Sequence, residues 1–348
     1  MSSPRFLLVR LGALGDVVHA IPVAAALRRT FPDARVDWLV SARHSAILEL
    51  VPVVDRRILI ADRRGSQNGL SIAAAIRTMR RERYDWAIDL QGLIKSAVLA
   101  RTSGAARVLG FARGYLREPL ARFGYTETHD PGAGGMFDGR ETRHVVQVNL
   151  GLLERVGVQP GVPEFPIEEV DTAVAADMRR QAGGPYALLN PGAAWPNKRW
   201  PPARLARVAQ ALRSRHHLTS VVLWGPGERE LADAVVGDAG GAALATPPTS
   251  VRDLVALARS AALMVSGDTG PTHIAAAVGT PIVGIYGPTR PERNGPWRPE
   301  DVTVSRATTC ECHHLRRCRR ARMCLLDIEA DEVIAAADAR LAVGMAHG

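Results

Sequence analysis

Three short stretches of the sequence combine turn-forming residues with side chains that can accept a proton or bind an anion. They read LGALGD at 11–16, PNKRW at 196–200 and SGDTGPTH at 266–273. A glycine-rich turn before a helix leaves backbone N–H groups free to bind phosphate, and a lysine there adds positive charge. In the first stretch the carboxylate of Asp16 occupies that position and would repel a phosphate. Phosphate chemistry is therefore expected at the two later stretches.

Lysine occurs at only two positions, Lys95 and Lys198, among 44 basic residues. Because lysine is a compact point charge that fits tight sites, we predict that both serve a binding site. Lys198 follows a predicted strand and a Pro-Gly turn, where a phosphate is expected; an ordinary loop with surface cations is the alternative. Lys95 stands at a predicted helix start after the residues DLQG, where it is expected to face a cleft between two lobes.

In the third stretch Asp268, Thr269 and Gly270 follow an apolar strand, and Pro271 begins a helix. Proline is favoured at the first helical position because its missing N–H has no partner there in any case. Asp268 or Thr269 suits the cap of this helix, a role that is compatible with ligand binding. With His273 in the same turn, hydroxyl, amide and imidazole groups converge, which predicts a ligand pocket rather than a packed histidine.

A further turn, WGPGERE at 224–230, places Glu228 at a helix start. The helix dipole alone stabilises a carboxylate at this position. A carboxylate that follows a strand also accepts hydrogen bonds from a ribose hydroxyl in dinucleotide sites. The sequence favours neither interpretation over the other.

All four cysteines lie in the stretch CECHHLRRCRRARMC, at Cys310, Cys312, Cys318 and Cys324. Four thiols this close together could hold zinc, but C-x-C-x5-C-x5-C is not the spacing of a standard zinc finger or ribbon. A disulfide is disfavoured in the cytosol. Inert or redox-labile thiols are the favoured interpretation, and zinc is the alternative.

The elements that carry these residues are apolar runs alternating with helical patterns, which indicates buried parallel sheets covered by helices on both faces. In the first half we predict strands at 5–10, 35–40, 56–60 and 84–90, and helices at 16–30, 43–50, 69–82, 94–101 and 144–156. In the second half we predict strands at 186–190, 219–224, 262–266 and 281–286, and helices at 202–214, 228–237, 250–260 and 271–278. Residues 102–143 lack clean periodicity and are predicted to form a partly helical, mobile functional segment.

This alternation predicts an α/β fold with two Rossmann-like, doubly wound parallel-sheet domains that face a central cleft. The first domain spans 1–160, a Pro/Gly-rich linker spans 161–170, and the second domain spans 171–327. We expect the terminal helix within 328–348 to pack back on the first domain. Ligands of such sheets bind outside the carboxyl ends of the strands, where the stretches described above lie.

Charge and composition limit the partners. The net charge of +9 is concentrated in residues 1–165, which carry 23 basic and 16 acidic side chains. This favours nucleic acid, anionic lipid or a phosphorylated substrate, unless the arginines merely reflect a GC-rich genome. An aromatic content of 5% argues against binding of single-stranded nucleic acid. Because no apolar run approaches the ~18–20 residues of a membrane span and no signal-peptide pattern is present, a cytoplasmic protein is expected.

Several stretches together resemble the ADP-heptose:lipopolysaccharide heptosyltransferase family, glycosyltransferase family 9, over nearly the whole chain. They are VRLGALGDVVHAIP, DLQGLIKSA, REPLA, PNKRW and SGDTGPTHIAAAVGTPIVGIYGPT, of which QGLIKSA and REPLA are most similar to type I members. The resemblance implies a GT-B fold and metal-independent, inverting transfer of L-glycero-D-manno-heptose from ADP-heptose to the Kdo region of a lipid A precursor. The alternatives are a type II or III acceptor, another nucleotide-sugar reaction such as epimerisation, or a basic nucleic-acid-binding, lipid-binding or zinc-binding protein.

For the reacting groups, the resemblance implies that Asp16 is the general base and that Lys198 binds the donor phosphates and assists their departure. Glu228 is expected to contact the nucleoside. The diphosphate and sugar site is expected at Asp268, Thr269, Gly270 and His273. A carboxylate base typically contributes ~10²–10⁴-fold to such a transfer.

For the partners, the resemblance implies that the acceptor is bound by Gly15, Lys95, Arg113 and Arg117. We expect no metal cofactor, since the sequence has no Asp-x-Asp pair to hold a divalent ion on a diphosphate. We also expect no nucleic acid partner, a monomer, and a peripheral position on the anionic cytoplasmic face of the inner membrane.

Overall fold

The computed structural model describes residues 3–62, 68–132, 135–136, 138, 141–313, 315–318 and 321–345. The chain divides into two compact units, Met1–Glu168 and Glu169–Gly348. The division falls inside the stretch for which the sequence predicts a linker. None of the helices in these described residues is long and apolar enough to span a membrane.

The first unit is built on a parallel sheet of six strands in the order β3-β2-β1-β4-β5-β6. These strands are β1 (Arg5–Val9), β2 (Arg35–Ser41), β3 (Arg56–Ile60), β4 (Trp86–Asp89), β5 (Arg107–Phe111) and β6 (Glu127–His129). The central strands are continuous apolar runs because helices cover both faces of the sheet. Leu7, Val9, Leu39 and Ala87 are buried in the resulting core.

The helices of the first unit follow the strands in alternation. They are α1 (Leu14–Val18), α2 (Ile21–Thr30), α3 (Ile72–Glu82), α4 (Ile94–Thr102) and α5 (Val145–Gly151), with 3₁₀ helices at Ala42–His44, Ala46–Leu50, Arg113–Tyr115, Pro119–Gly124 and Leu152–Val156. The single helix predicted at 16–30 is therefore wrong. Pro22 explains the break, because proline lacks an N–H and its ring would clash with the carbonyl of Val18 in a continuous helix.

The prediction for 102–143 missed two strands, β5 and β6. β5 contains Gly110, which lowers the strand signal of its short apolar run. The glycine is needed because a Cβ there would lie 2.3 Å from Cε2 of Tyr125. β6 has only three residues, too few for an alternating pattern to be recognised.

The second unit repeats the same architecture, with six parallel strands in the order β12-β11-β10-β7-β8-β9. Its strands are β7 (Tyr186–Asn190), β8 (Thr219–Val222), β9 (Ala243–Ala245), β10 (Ala261–Gly267), β11 (Ile282–Tyr286) and β12 (Val302–Ser305). Its helices are α6 (Ala173–Ala182), α7 (Pro202–His216), α8 (Arg229–Asp238), α9 (Val251–Ser260), α10 (Gly270–Val278), α11 (Pro291–Asn294) and α12 (Ala330–Met345), with 3₁₀ helices at Pro196–Lys198, Ala307–Thr309 and Cys324–Asp327. The sequence did not predict β9, β12 or α6.

In both units the chain winds outward from the centre of the sheet in two directions. The first and fourth strands of each unit are neighbours, so β1 pairs with β4 and β7 pairs with β10. At such a junction the loops after the two strands turn to opposite faces and leave a crevice at their carboxyl ends. The stretches that contain Asp16, Lys95, Lys198 and Asp268 are these four loops.

The terminal helix packs on the second unit, so the prediction that it packs on the first domain is wrong. Val333, Ile334 and Ala337 of α12 share a buried core with Val208 and Leu212 of α7. At the far end of the helix, Arg340 donates to Asp301 across 2.9 Å, with the two side chains 6% and 0% exposed. This apolar face and its buried ion pair attach the helix to the sheet that precedes it in the chain.

Replacing Arg340 with methionine should destabilise the second unit by about 3 kcal/mol, because it leaves the carboxylate of Asp301 buried without its cation. The matched control is Arg207→Met, which removes a 2.8 Å pair to Asp331 whose side chains are 53% and 78% exposed. That change should alter stability by less than about 1 kcal/mol. Scanning calorimetry of both variants measures the difference, and equal melting temperatures would contradict the account of α12.

Candidate active site

The loop after β1 places Asp16 in the first turn of α1 and fixes both of its carboxylate oxygens. The N–H of Ala13 donates to Oδ2 across 3.1 Å, and the Arg10 guanidinium lies 2.8 Å from Oδ1. The Asp16 side chain remains 34% exposed, whereas that of Arg10 is 14% exposed. The carboxylate therefore caps its own helix and still presents a surface to a ligand.

The glycines of this loop have different surroundings. Gly15 is buried within α1. Gly12 lies against His44, since a Cβ on Gly12 would come within 2.3 Å of Cδ2 of that ring. Burial is the main cause that lowers the pKa of His44, with the charge of Arg43 adding to it. A neutral imidazole thus packs over the loop that carries Asp16.

The loop after β4 is joined to the loop after β1 by hydrogen bonds. The N–H of Leu11 donates to Oε1 of Gln91 across 2.7 Å, and Arg10 donates to the carbonyl of Leu90. The buried carboxylate of Asp89 orders this loop by accepting from the N–H of Gln91 at 2.9 Å and the hydroxyl of Ser96 at 2.8 Å. Burial raises the pKa of Asp89 despite these bonds.

Lys95 and Arg117 lie on neighbouring elements at this edge of the first unit. Lys95 is exposed in the first turn of α4. The carboxylate of Glu118 accepts from the N–H of Ile94 across 2.7 Å, which brings the residue after Arg117 to the start of the same helix. Arg113 is exposed four residues earlier, on the 3₁₀ helix Arg113–Tyr115. Two of the three predicted cations, Lys95 and Arg117, therefore lie on neighbouring segments of the chain.

In the second unit, Lys198 and His273 converge on the carboxylate of Asp268. Lys198 Nζ lies 2.5 Å from Oδ2, and His273 Nε2 lies 2.9 Å from Oδ1. Burial alone would raise the pKa of Asp268, but the hydrogen bond from His273 and the charge of Lys198 outweigh it and hold the pKa well below its usual range. Lys198 also lies 4.7 Å from the ring centre of Trp195. Asp268 is therefore a fixed anion that positions the cation beside it.

A hydroxyl network lines the start of α10. The amide of Asn190 donates to the hydroxyl of Thr269 across 3.0 Å and to that of Ser266 across 3.2 Å. Thr272 donates to the same Ser266 hydroxyl across 2.8 Å. Thr269 is the N-cap residue of α10, but its side chain makes no capping hydrogen bond. Because α10 begins after the carboxyl end of β10, the backbone N–H groups of its first turn point toward that edge of the sheet.

Glu228 precedes α8 and points toward the loop after β7. Its Oε2 accepts from the N–H of Gly225 across 3.2 Å, and a Cβ on Gly192 would come within 2.1 Å of that oxygen. Arg199 lies 3.8 Å from the other oxygen. The carboxylate is held beside the loop that carries Lys198, in space that a side chain on Gly192 would occupy.

A family comparison identifies the chain. The model of glycosyltransferase family 9 (heptosyltransferase) matches residues 72–323. The chain belongs to glycosyltransferase family 9. It is 30% identical over 317 residues to lipopolysaccharide heptosyltransferase 1 of Pseudomonas aeruginosa, covering 88% of this chain and 85% of the relative. This glycosyltransferase is also 27% identical to a lipopolysaccharide heptosyltransferase 3 of Escherichia coli, covering 93% and 95% of the two chains.

Solved structures of family 9 proteins share the fold. A Veillonella parvula protein of the family superposes with a TM-score of 0.80 at 24% identity, covering 98% of each chain. Escherichia coli heptosyltransferase WaaC with ADP superposes with a TM-score of 0.75 at 23% identity, covering 97% of this chain and 99% of WaaC. The expectation of a two-domain GT-B glycosyltransferase fold, made of two six-stranded parallel sheets, is confirmed.

The cysteines of this family 9 chain form one small buried cluster. Sγ of Cys312 lies 3.1 Å from Sγ of Cys318, and Cys310 and Cys324 pack against them. Burial, together with the Cys310 thiol, raises the pKa of Cys324 to about 12. Across the residues that the structure describes, no group of three or more histidine, cysteine or acidic side chains is arranged to hold a metal ion. Zinc binding and redox-labile thiols both stay predictions for this cluster.

Sequence reasoning missed Arg10, Asp89 and Asn190. Arg10, Asp89 and Asn190 each stand at or directly after the last residue of a central strand. That position was the available signal, because parallel strands present their last residues at the ligand-binding edge. The sequence analysis instead singled out residues from the turns that follow.

The Asp268 ion pair makes a pH-dependent contribution to stability. Because its pKa is lowered in the folded state, the stabilisation is fully present above the unfolded pKa of about 3.9 and is lost as pH falls below it. Asp268→Asn should reduce the free energy of unfolding by about 3 kcal/mol at pH 7, and this difference should shrink steadily below pH 4.

Urea unfolding of both proteins between pH 7 and pH 3 measures the difference. Asp233→Asn is the matched control, since Asp233 pairs with Arg229 where both side chains are about half exposed. It should change stability by less than about 1 kcal/mol at every pH. A wild-type minus Asp268→Asn difference that stays constant with pH would show that the Asp268 carboxyl is not held ionised by the fold.

Proposed function

We propose that this family 9 glycosyltransferase transfers L-glycero-D-manno-heptose from ADP-heptose to the Kdo region of a lipid A precursor, in lipopolysaccharide inner-core synthesis. Type 1 lipopolysaccharide heptosyltransferases are among its relatives at 30% and 28% identity, and a type 3 relative is 27% identical. The observation that carries the proposal is the cation beside an uncapped helix start in the second unit, together with a separately held carboxylate in the first.

The second unit binds the diphosphate of the donor. Lys198 keeps N–H donors for phosphate oxygens, because an ammonium has three of them and Asp268 accepts only part of that capacity. The first turn of α10 adds backbone N–H groups and the positive end of the helix dipole. Thr269 and Gly270 contact the phosphates there, and His273 contacts the sugar of the donor. Glu228 accepts a hydrogen bond from a ribose hydroxyl of the nucleoside.

Asp16 is the general base. It takes the proton of the attacking acceptor hydroxyl as the new bond to the anomeric carbon forms, and the bond from that carbon to the phosphate oxygen breaks. The electron pair leaves with ADP, whose negative charge Lys198 and the start of α10 stabilise. A single displacement of this kind inverts the anomeric configuration. Arg10 lies 2.8 Å from Oδ1 of Asp16 and fixes the orientation of the carboxylate for this step.

The first unit binds the acceptor through its cations. Lys95, Arg113 and Arg117 are exposed and suit the carboxylate and phosphate groups of a Kdo-bearing lipid. Gly15 is assigned to the same acceptor edge. A lipid-linked acceptor locates the reaction at the cytoplasmic face of the inner membrane, where we expect the enzyme to act as a monomer.

An acceptor screen that follows ADP release tests this function. ADP-heptose with a Kdo-terminated acceptor should release ADP, and an acceptor already terminated by heptose should not. The rate should persist in excess EDTA, because lysine and backbone N–H groups supply the positive charge. Preferential release with the heptose-terminated acceptor would assign type II or III specificity instead, and no release with any heptose acceptor would contradict the proposed reaction.

Comparing Asp16→Asn with Asp16→Ala separates a catalytic role from a helix cap. Asparagine retains an oxygen for the Ala13 N–H but cannot take a proton, so both variants should lose about 10²–10⁴-fold in kcat. The Kd for ADP should be unchanged in both, because the phosphates bind in the second unit. Near-normal turnover of Asp16→Asn beside a defective Asp16→Ala would reduce Asp16 to a capping residue.

A further inference from the structure

Two adjacent elements of the first unit expose large apolar side chains. α4 exposes Ile94 and Val98, and the 3₁₀ helix Pro119–Gly124 exposes Leu120 and Phe123. Their exposed fractions are 44%, 51%, 64% and 78%. We call these four residues the apolar ridge.

The ridge is a feature of one surface because its two elements are packed together. A Cβ on Gly124 would come within 2.9 Å of Cβ of Ala97, so the 3₁₀ helix lies directly against α4. Residues four apart share a face of an α-helix, and residues three apart share a face of a 3₁₀ helix. Each element therefore presents its two ridge residues in the same direction while Ala97 and Ala121 are buried.

The surface around the ridge is strongly basic. Residues 91–124 contain six basic side chains and one acidic one, Glu118. The Glu118 carboxylate accepts from the N–H of Ile94. Lys95, Arg101 and Arg122 are exposed, and none of them has an ion-pair partner among the residues that the structure describes. Their charges are available to an external partner.

We propose that the apolar ridge is a membrane-docking surface that seats on an anionic phospholipid bilayer, with Leu120 and Phe123 inserted at the level of the headgroups. Exposed apolar side chains surrounded by arginine and lysine suit the boundary between headgroups and acyl chains. The acyl region accommodates the apolar side chains, and the lipid phosphates attract the cations. A second copy of the chain fits poorly, since two-fold pairing would set one excess of positive charge against another. The inference goes beyond the proposed transfer reaction and needs no substrate for its test.

Vesicle co-sedimentation of the full-length protein tests the proposal. Wild-type protein should bind phosphatidylglycerol vesicles and bind phosphatidylcholine vesicles at least about tenfold more weakly. The double variant Leu120→Ser/Phe123→Ser should lose about tenfold or more of the affinity for phosphatidylglycerol. Arg122→Gln should weaken binding at low salt, and its difference from wild type should shrink as salt is raised, because the contribution of Arg122 is electrostatic and is screened.

The matched control is Val162→Ser, which changes a side chain of the same unit that is 80% exposed and lies outside the ridge. It should bind vesicles as the wild type does. Circular dichroism should show that both variants are folded, since the changed side chains are exposed. With a water-soluble, deacylated acceptor, the ridge variant should turn over at the wild-type rate, which separates docking from the transfer reaction.

Equal binding of the ridge variant and wild type to phosphatidylglycerol would overturn the proposal, as would failure of the wild type to bind it. A wild-type dimer by light scattering that becomes a monomer in Leu120→Ser/Phe123→Ser would also overturn it, because the ridge would then be covered by a second copy.

Discussion

Parallel pairing of the first and fourth strands sets the positions of Asp16, Lys95, Lys198 and Asp268 in this glycosyltransferase. β1 pairs with β4 in one unit and β7 pairs with β10 in the other, with the carboxyl ends of each pair at the same edge. Right-handed crossovers then send the following loops to opposite faces. The bonds from Leu11 to Gln91 and from Asn190 to Thr269 each connect the two loops of one such junction. The strand order is thus the constraint that brings residues distant in sequence together.

The two junctions use the same topology with opposite charge arrangements. In the first unit the cation, Arg10, is largely covered and the carboxylate of Asp16 is the more exposed partner. In the second unit the carboxylate of Asp268 is the covered partner, and Lys198 is the more exposed one. In the first unit Arg10 supports a more exposed carboxylate, which suits a base, and in the second unit Asp268 positions the ammonium of Lys198, which suits phosphate binding. This difference agrees with the proposed roles, a base in the first unit and phosphate binding in the second.

The central strands and most helices could be predicted from the sequence. Buried parallel strands consist of continuous apolar residues, and the turns that follow them contain glycine and proline. Short edge strands such as β9 could not be, since three residues do not establish a period. The direction in which α12 packs depends on its contacts with α7 and on the buried pair of Arg340 and Asp301, which no local pattern contains. Capping is equally non-local at Thr269, whose hydroxyl bonds Asn190 from another strand and the Thr272 hydroxyl but makes no capping hydrogen bond.

The central claim is that nucleotide phosphates bind beside Lys198, at the second junction, and not at the glycine-rich turn of the first. The chain has only two lysines, so acetylation of each can be followed separately by mass spectrometry with and without ADP. The account predicts that saturating ADP slows acetylation of Lys198 and leaves that of Lys95 unchanged. Protection of Lys95 with continued reaction at Lys198 would contradict it.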